Sequence, residues 1–462
     1  MKYLSTRGSA PVLGFDDVLL AGLARDGGLY LPEKYPTITP GRLRAFADLG
    51  YVEVAVEVMW PFVEGTIDAD VFAELVAAAY ATFDHPDVCP LIDLGGGVRL
   101  LELFHGPTLA FKDVALQLVG QLFEHVLTER GERITIVGAT SGDTGSAAIE
   151  ACRDRDGIEI HILHPAGRVS DVQRRLMTTV TSANVHNLAI EGTFDDCQDL
   201  VKAMFNDLGF RDRHRLSAVN SINFARILAQ TVYYVKAAAD LGCGPVSFAV
   251  PTGNFGNVFA GWVARQMGVP IRQLMIGSNR NDILPRFFQT GTMAMEGVVP
   301  TTSPAMDIQV SSNFERLLFE LTGRDGAVVT ELMTRFREEG RVELGSDLLG
   351  MASEVMSAAR LDDDAVARVM ADTFARSGRL VDPHTAVGLG VVDRLRRDPA
   401  VPVVALATAH PAKFPDAVEA ATGMHPALPE RLADLFDRPE RFDTLPVDLG
   451  AVEAHVGVEA PK

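Results

Sequence analysis

The chain has 462 residues, 47% apolar and 22% charged, the make-up of a soluble globular protein of two or three domains. Its 42 Lys and Arg stand against 61 Asp and Glu, and a net charge of −19 argues against nucleic acid or an acidic membrane as partner. Cys89, Cys152, Cys197 and Cys243 form no C-x-x-C pair or zinc spacing, no apolar run reaches membrane-spanning length, and Met1–Arg7 lacks a signal-peptide apolar core, so a reducing, cytoplasmic setting is expected.

Asp26-Gly27-Gly28-Leu29-Tyr30-Leu31-Pro32 reads as a turn entering a short extended piece, and helical patterns follow at 40–49, 51–62 and 69–83. Arg7 is the one residue of this stretch that suggests chemistry. Pro86, Pro90 and Gly95-Gly96-Gly97 mark a boundary. From there strands and helices alternate: strands at 134–137, 158–163 and 185–190, each followed by a helix, at 145–152, 169–180 and 194–208. A long helix at 223–241 precedes strand 246–250, helix 256–267 and strand 271–276, and near the end come strand 401–406 and helix 413–422. Helices are also expected at 313–321, 326–340 and 365–377, and the Pro- and acid-rich stretch 426–462 at the surface. Strands separated by helices imply an α/β fold with mostly parallel sheets covered on both faces, and there are enough units for two open sheets.

Phe104-His105-Gly106-Pro107-Thr108-Leu109-Ala110-Phe111-Lys112-Asp113 places one lysine at the mouth of a helix whose apolar residues Ala115, Leu118, Leu122 and Val126 share a face. The positive end of the helix and the apolar neighbours Ala110 and Phe111 both lower a lysine's basicity. Lys112 is then either a solvated first-turn lysine or a nucleophile able to form a Schiff base with a carbonyl.

Three loops lie where a predicted strand ends and a helix begins, the place where open α/β sheets bind ligands. Gly138-Ala139-Thr140-Ser141-Gly142-Asp143-Thr144-Gly145 has the spacing G-x-x-x-G-x-x-G, which is neither a dinucleotide motif nor a P-loop. It is a structural turn or an anion site with hydroxyl donors. Pro251-Thr252-Gly253-Asn254-Phe255-Gly256-Asn257 offers a backbone nest for phosphate without a cationic side chain. In Ala407-Thr408-Ala409-His410-Pro411-Ala412-Lys413 a threonine hydroxyl ends a buried strand. Asp382-Pro383-His384-Thr385-Ala386 reads as a helix start. A lysine nucleophile with two anion loops is the set a phosphate-bearing aldehyde cofactor requires, and pyridoxal phosphate is such a cofactor. A phosphorylated substrate would need a further cation. Arg316, with Ser311 and Asn313 as donors, is the candidate, against the alternative of a surface arginine paired with Glu320.

In these motifs, with Lys2–Gly8 and Asp26–Tyr30, the sequence resembles the threonine synthases of the bacterial and fungal branch, among the fold-type II pyridoxal-phosphate enzymes related in fold to the tryptophan synthase β subunit. The match runs nearly the whole chain. The resemblance implies a small helical N-terminal domain at 1–95, a large cofactor-binding α/β domain from 96–112 and 236–462, and a small α/β domain at 113–235. It implies conversion of O-phosphohomoserine and water into threonine and phosphate, with no obligate protein partner and no metal. Lys112 would hold the cofactor and, once displaced by the substrate amine, take the α-proton. Gly253, Asn254, Phe255, Gly256 and Asn257 would hold the cofactor phosphate, and Thr408 its ring nitrogen. Thr140, Ser141, Gly142 and Thr144 would hold the substrate carboxylate. Asp143 stands where many relatives of the fold type carry asparagine beside the ring oxygen, which leaves that contact open. A phospholyase that stops at 2-oxobutyrate and a non-catalytic pyridoxal-phosphate binder are the alternatives.

Overall fold

The computed structural model describes residues 1–140, 142–218 and 221–459. Fifteen strands occur among them: β1 (Tyr3–Ser5), β2 (Tyr30–Pro32), β3 (Leu91–Gly95), β4 (Val98–Glu102), β5 (Ile134–Ala139), β6 (Ile158–Pro165), β7 (Val185–Ile190), β8 (Leu216–Ser217), β9 (Val246–Pro251), β10 (Ile271–Ser278), β11 (Thr292–Ala294), β12 (Arg341–Glu343), β13 (Met356–Arg360), β14 (Val403–Ala407) and β15 (Asp443–Leu445). Six form one sheet in the order β13-β10-β9-β14-β4-β3, parallel except for β3 against β4. Five form a second, wholly parallel sheet in the order β15-β7-β6-β5-β8. The expectation of two open, mostly parallel sheets therefore holds. β9 and β14 are buried at every position, as strands covered on both faces must be, and their Val- and Ala-rich runs carry that signal in the sequence.

Two long helices tie the sheets together. Lys112–Arg130 and Phe224–Asp240 pack on each other and belong to one apolar core that also takes in the N-terminal helices. The N-terminal segment has no core of its own. The rings of Tyr3 and Phe62 meet Phe224 at 5.5 and 6.0 Å, and Tyr80 Oη donates to Val114 O at 3.2 Å. It is also not wholly helical, since β1 and β2 form an antiparallel pair.

β3 and β4, not expected from the sequence, are a hairpin that reverses on a glycine run beginning in β3 itself. Gly95, Gly96 and Gly97 all have positive φ (81°, 61° and 73°) and make the reversal between them. The C-terminal stretch differs most from expectation. β15 pairs with β7, and the helix Leu449–Glu459 buries Val452 and Val456 completely against Val137 and Leu188. Residues 443–456 thus complete the smaller sheet rather than lying on the surface or in the larger unit.

Candidate active site

The lysine loop is locked onto its own helix. Lys112 opens the helix Lys112–Arg130 without a side-chain cap on Phe111. The neighbouring Asp113 folds back instead, its carboxylate accepting Thr108 N–H at 2.8 Å and Thr108 Oγ1–H at 2.6 Å. Gly106 must be glycine, because a Cβ there would stand 2.4 Å from Asp113 Cβ. The loop is fastened to β14 by Phe111 N–H to Thr408 O at 2.8 Å and His410 N–H to Leu109 O at 3.0 Å. The residue before Lys112 is thereby hydrogen-bonded to Thr408.

The Gly138–Gly145 loop brings Asp143 to the same point. Asp143 Oδ2 is 3.3 Å from Lys112 Nζ. Its Oδ1 lies 2.7 Å from Lys413 Nζ and accepts Gln173 Nε2–H at 2.9 Å. Burial opposes its charge, but Lys413, then Lys112 and His384, hold it far below the usual carboxylate range. The doubt about Asp143 thus resolves toward an ionised carboxylate. Lys112 is buried, and its basicity is lowered first by that burial, with Asp143 acting against it and Lys413 and Arg226 adding to it. The helix-end argument made from the sequence gives the same direction for a different reason.

Thr140 Oγ1 accepts the N–H groups of Gly142 and Gly145, at 3.0 and 2.9 Å, and so shapes the loop. Its own proton is left to donate. Gly142 has φ 137°, and a Cβ on it would meet the Gln173 side chain at 2.7 Å. Thr144 lies in the first turn of the helix Asp143–Cys152. Ser141 lies outside the described residues.

The second loop is a backbone nest. Phe255 adopts φ 63° and caps the helix Gly256–Gln266, whose first N–H groups have no intrahelical acceptor. Asn257 Oδ1 accepts both Tyr233 Oη–H (2.6 Å) and Tyr234 Oη–H (3.0 Å), which fixes its carboxamide. Its buried Nδ2 has no partner among the described residues and is a donor awaiting an acceptor. Gly253 packs under Ala305, whose carbonyl oxygen would lie 2.9 Å from an added Cβ.

Ser311, Asn313 and Arg316 are correctly placed near this loop but differently employed. Ser311 Oγ donates to Gly253 O at 2.7 Å, and Asn313 Nδ2 to Asn254 O at 2.9 Å and Ser221 O at 3.1 Å. Arg316 is wholly buried. Its Nη2 donates to Tyr30 O (3.0 Å) and Ile222 O (2.6 Å), its Nε to Tyr30 O (3.3 Å), and its Nη1 to Asn313 Oδ1. The three residues brace the nest and the N-terminal segment, and Arg316 Nε, Nη1 and Nη2 each donate within the chain, unlike the expected contact to a substrate phosphate. Glu320, the alternative partner of Arg316, pairs with Arg324 at 2.9 Å. Arg7 pairs with Glu315 at 3.0 Å, also as a brace.

Two residues were missed from the sequence. Lys413 lay within a quoted motif, but its contact with Asp143 depends on two distant loops meeting. Arg226, in the first turn of Phe224–Asp240, is 4% exposed, and its Nε and Nη1 have no hydrogen-bond partner among the described residues. It is close enough to Lys112 to lower that lysine's basicity. A buried guanidinium lacking acceptors is costly unless an anion completes it. The nearby Asp382–His384 pair is itself satisfied: His384 Nδ1 meets Asp382 at 2.7 Å, and Nε2 accepts Ala305 N–H at 3.2 Å.

Two open, mostly parallel sheets with glycine-rich strand-to-helix loops and a buried lysine at a helix start define a pyridoxal-phosphate enzyme of fold type II. Residues 92–336 match the family model "Pyridoxal-phosphate dependent enzyme". Residues 2–80 and 385–456 match "Threonine synthase N terminus" and "Threonine synthase, C-terminal". The chain is 54% identical over 460 residues to the threonine synthase of Pseudomonas aeruginosa, covering 99% of this chain and 98% of that one. It is 42% identical to that of Corynebacterium glutamicum, over 99% and 98% of the two chains. The crystal structure of the pyridoxal-phosphate-bound threonine synthase of Brucella melitensis superposes with a TM-score of 0.98 at 55% identity, covering 100% of both chains. The protein belongs to the threonine synthase family. Its cofactor is pyridoxal phosphate, and the unfilled Asn257 donor and the nest of free N–H groups fit that cofactor's phosphate.

Proposed function

We propose that the protein converts O-phosphohomoserine and water into threonine and phosphate in the cytoplasm. The observation that supports this reading is that two sets of buried donors, Asn257 Nδ2 and the Nε and Nη1 of Arg226, have no acceptor among the described residues. The nest at 253–257, completed by Asn257, takes the cofactor phosphate. Arg226, with two nitrogens lacking partners among the described residues, takes the phosphate of the substrate. Thr140, Ser141, Gly142 and Thr144 hold the substrate carboxylate at the start of the helix Asp143–Cys152, where N–H groups are free.

Pyridoxal phosphate supplies the electron sink for proton loss and phosphate departure. The chain's own groups supply the rest. Lys112 takes the α-proton on Nζ, and Asp143 at 3.3 Å steadies the resulting ammonium. Thr408 offers the ring nitrogen a neutral partner. Arg226 balances charge as the phosphate leaves. For location, no helix of the described residues is long and apolar enough to cross a membrane, and the four cysteines are unpaired, which suits a reducing compartment.

The test is product analysis with O-phosphohomoserine, measuring phosphate, threonine and 2-oxobutyrate together. Equal phosphate and threonine are expected. Phosphate accompanied by 2-oxobutyrate would overturn the synthase reading in favour of a phospholyase.

A further inference from the structure

The proposed reaction leaves Lys413 without a part, although it is the most deeply enclosed lysine near the site. It has no exposed surface and ends the short helix Pro411–Lys413 that follows β14. Its Nζ donates to Thr108 O at 2.8 Å and meets Asp143 Oδ1 at 2.7 Å. Among the described residues Lys112 makes one hydrogen bond, to the other oxygen of the same carboxylate at 3.3 Å, the long end of the range, and its Nζ stands 5.1 Å from the centre of the Phe111 ring. One carboxylate thus bridges two lysines of unequal character. The ammonium with two short contacts is held in place, and the one with a single long hydrogen bond is free to lose its proton and leave.

We infer that Lys413 is a positioning residue: a buried side chain that holds the Asp143 carboxylate aimed at Lys112, so that a lysine–aspartate–lysine row places the Lys112 amine and sets how readily it becomes neutral. The inference rests on the reading that Lys112 is the residue that joins the cofactor. Other charged or titratable groups face the row from each side. Arg226 approaches from the helix Phe224–Asp240, and His384, held by Asp382, from the helix Pro383–Gly390. Asp113 sits beneath Thr108 and is within reach of Lys413's charge. None of these bridges the two lysines; Asp143 alone does.

The row makes a prediction with opposite signs for its two supporting members. When apoenzyme meets pyridoxal phosphate, the lone pair of neutral Lys112 attacks the aldehyde carbon. A C=N bond forms, and the carbonyl oxygen leaves as water with the two amine protons. The rate of reconstitution against pH, followed by absorbance, therefore has a midpoint that reports Lys112's basicity. Lys413→Met removes a charge that lowers it, so the midpoint moves up by about one pH unit. Asp143→Asn removes a charge that raises it, so the midpoint moves down by about as much. A purely structural role for Lys413 slows reconstitution at every pH and leaves the midpoint in place.

Lys413→Met strands a buried carboxylate, and the variant's fold is checked by circular dichroism. If it does not fold, the comparison is between Asp143→Asn and the Asp143→Asn/Lys413→Met double variant, which leaves no lone anion. The double variant's midpoint must lie above that of Asp143→Asn. Equal midpoints in that pair, or an unmoved midpoint in folded Lys413→Met, overturn the inference. Borohydride trapping with peptide mapping separates the two readings: label on Lys413 in the wild type overturns the assignment of Lys112, whereas label on Lys112 with unmoved midpoints overturns only the role of Lys413.

Discussion

Replacing Arg226 by methionine should make the protein more stable and less active at once. Burial pushes this guanidinium down to about 10, with no other group contributing. An arginine ordinarily sits above 12, and about 1.4 kcal/mol attends each tenfold change in proton affinity, so the charged side chain holds roughly 3 kcal/mol against folding at neutral pH. Methionine keeps most of the aliphatic stem and removes the charge, so a gain of roughly 1–3 kcal/mol is expected after lost packing. The catalytic cost runs the other way. Two charge-assisted hydrogen bonds to a phosphate, at about 1.5–3 kcal/mol each, correspond to a loss of roughly a hundredfold to ten-thousandfold in kcat/KM. The assay pairs thermal melts with and without inorganic phosphate with steady-state kinetics on O-phosphohomoserine. Arg226→Met should melt higher than wild type, lose the stabilisation that phosphate gives the wild type, and retain pyridoxal phosphate. A variant that melts lower, or that keeps wild-type kcat/KM, would show that the guanidinium has a structural partner and that the substrate phosphate lies elsewhere.

Arg316→Lys should act on stability rather than on substrate binding. Losing the fork takes donors from Tyr30 O and Asn313 Oδ1 at about 1–3 kcal/mol each, so the melting temperature falls while KM stays near wild type, as melts and kinetics on the same preparation will show. Gly253→Ala should weaken cofactor retention about tenfold or more, because its Cβ meets Ala305 O at 2.9 Å, whereas Gly256→Ala, whose nearest neighbour is Asn313 Nδ2 at 3.4 Å, should bind nearly normally; equilibrium dialysis of pyridoxal phosphate compares them. Asp113 carries a pH signature. Burial raises its carboxyl to about 6, so the stability it contributes is present in full below about pH 4 and is lost as pH rises through 6. Asp113→Asn should therefore gain on wild type by roughly 2–3 kcal/mol between pH 4.5 and 7.5 in urea titrations, and a constant difference would refute the assignment.

Much of this protein is legible locally. Buried parallel strands such as β9 and β14 announce themselves as nearly continuous apolar runs, and the strand-to-helix loops 138–145 and 251–257 follow β5 and β9 directly, so the fold class and the two loops follow from neighbours in the chain. Lys112 is legible for the same reason, since its helix and its loop are continuous with it. What the tertiary structure alone decided is which charges meet. Asp143 and Lys413 are far apart in sequence and stand at 2.7 Å; Arg316 finds Tyr30 and Ile222, and only burial tells it from a surface arginine. Arg226 looks like any first-turn arginine until the packing of Phe224–Asp240 leaves its Nε and Nη1 without acceptors among the described residues. The physical reason is that backbone propensity and apolar periodicity act over a few residues. An electrostatic site is set by desolvation and by distances of about 3–4 Å between distant segments, and those exist only once the core has closed.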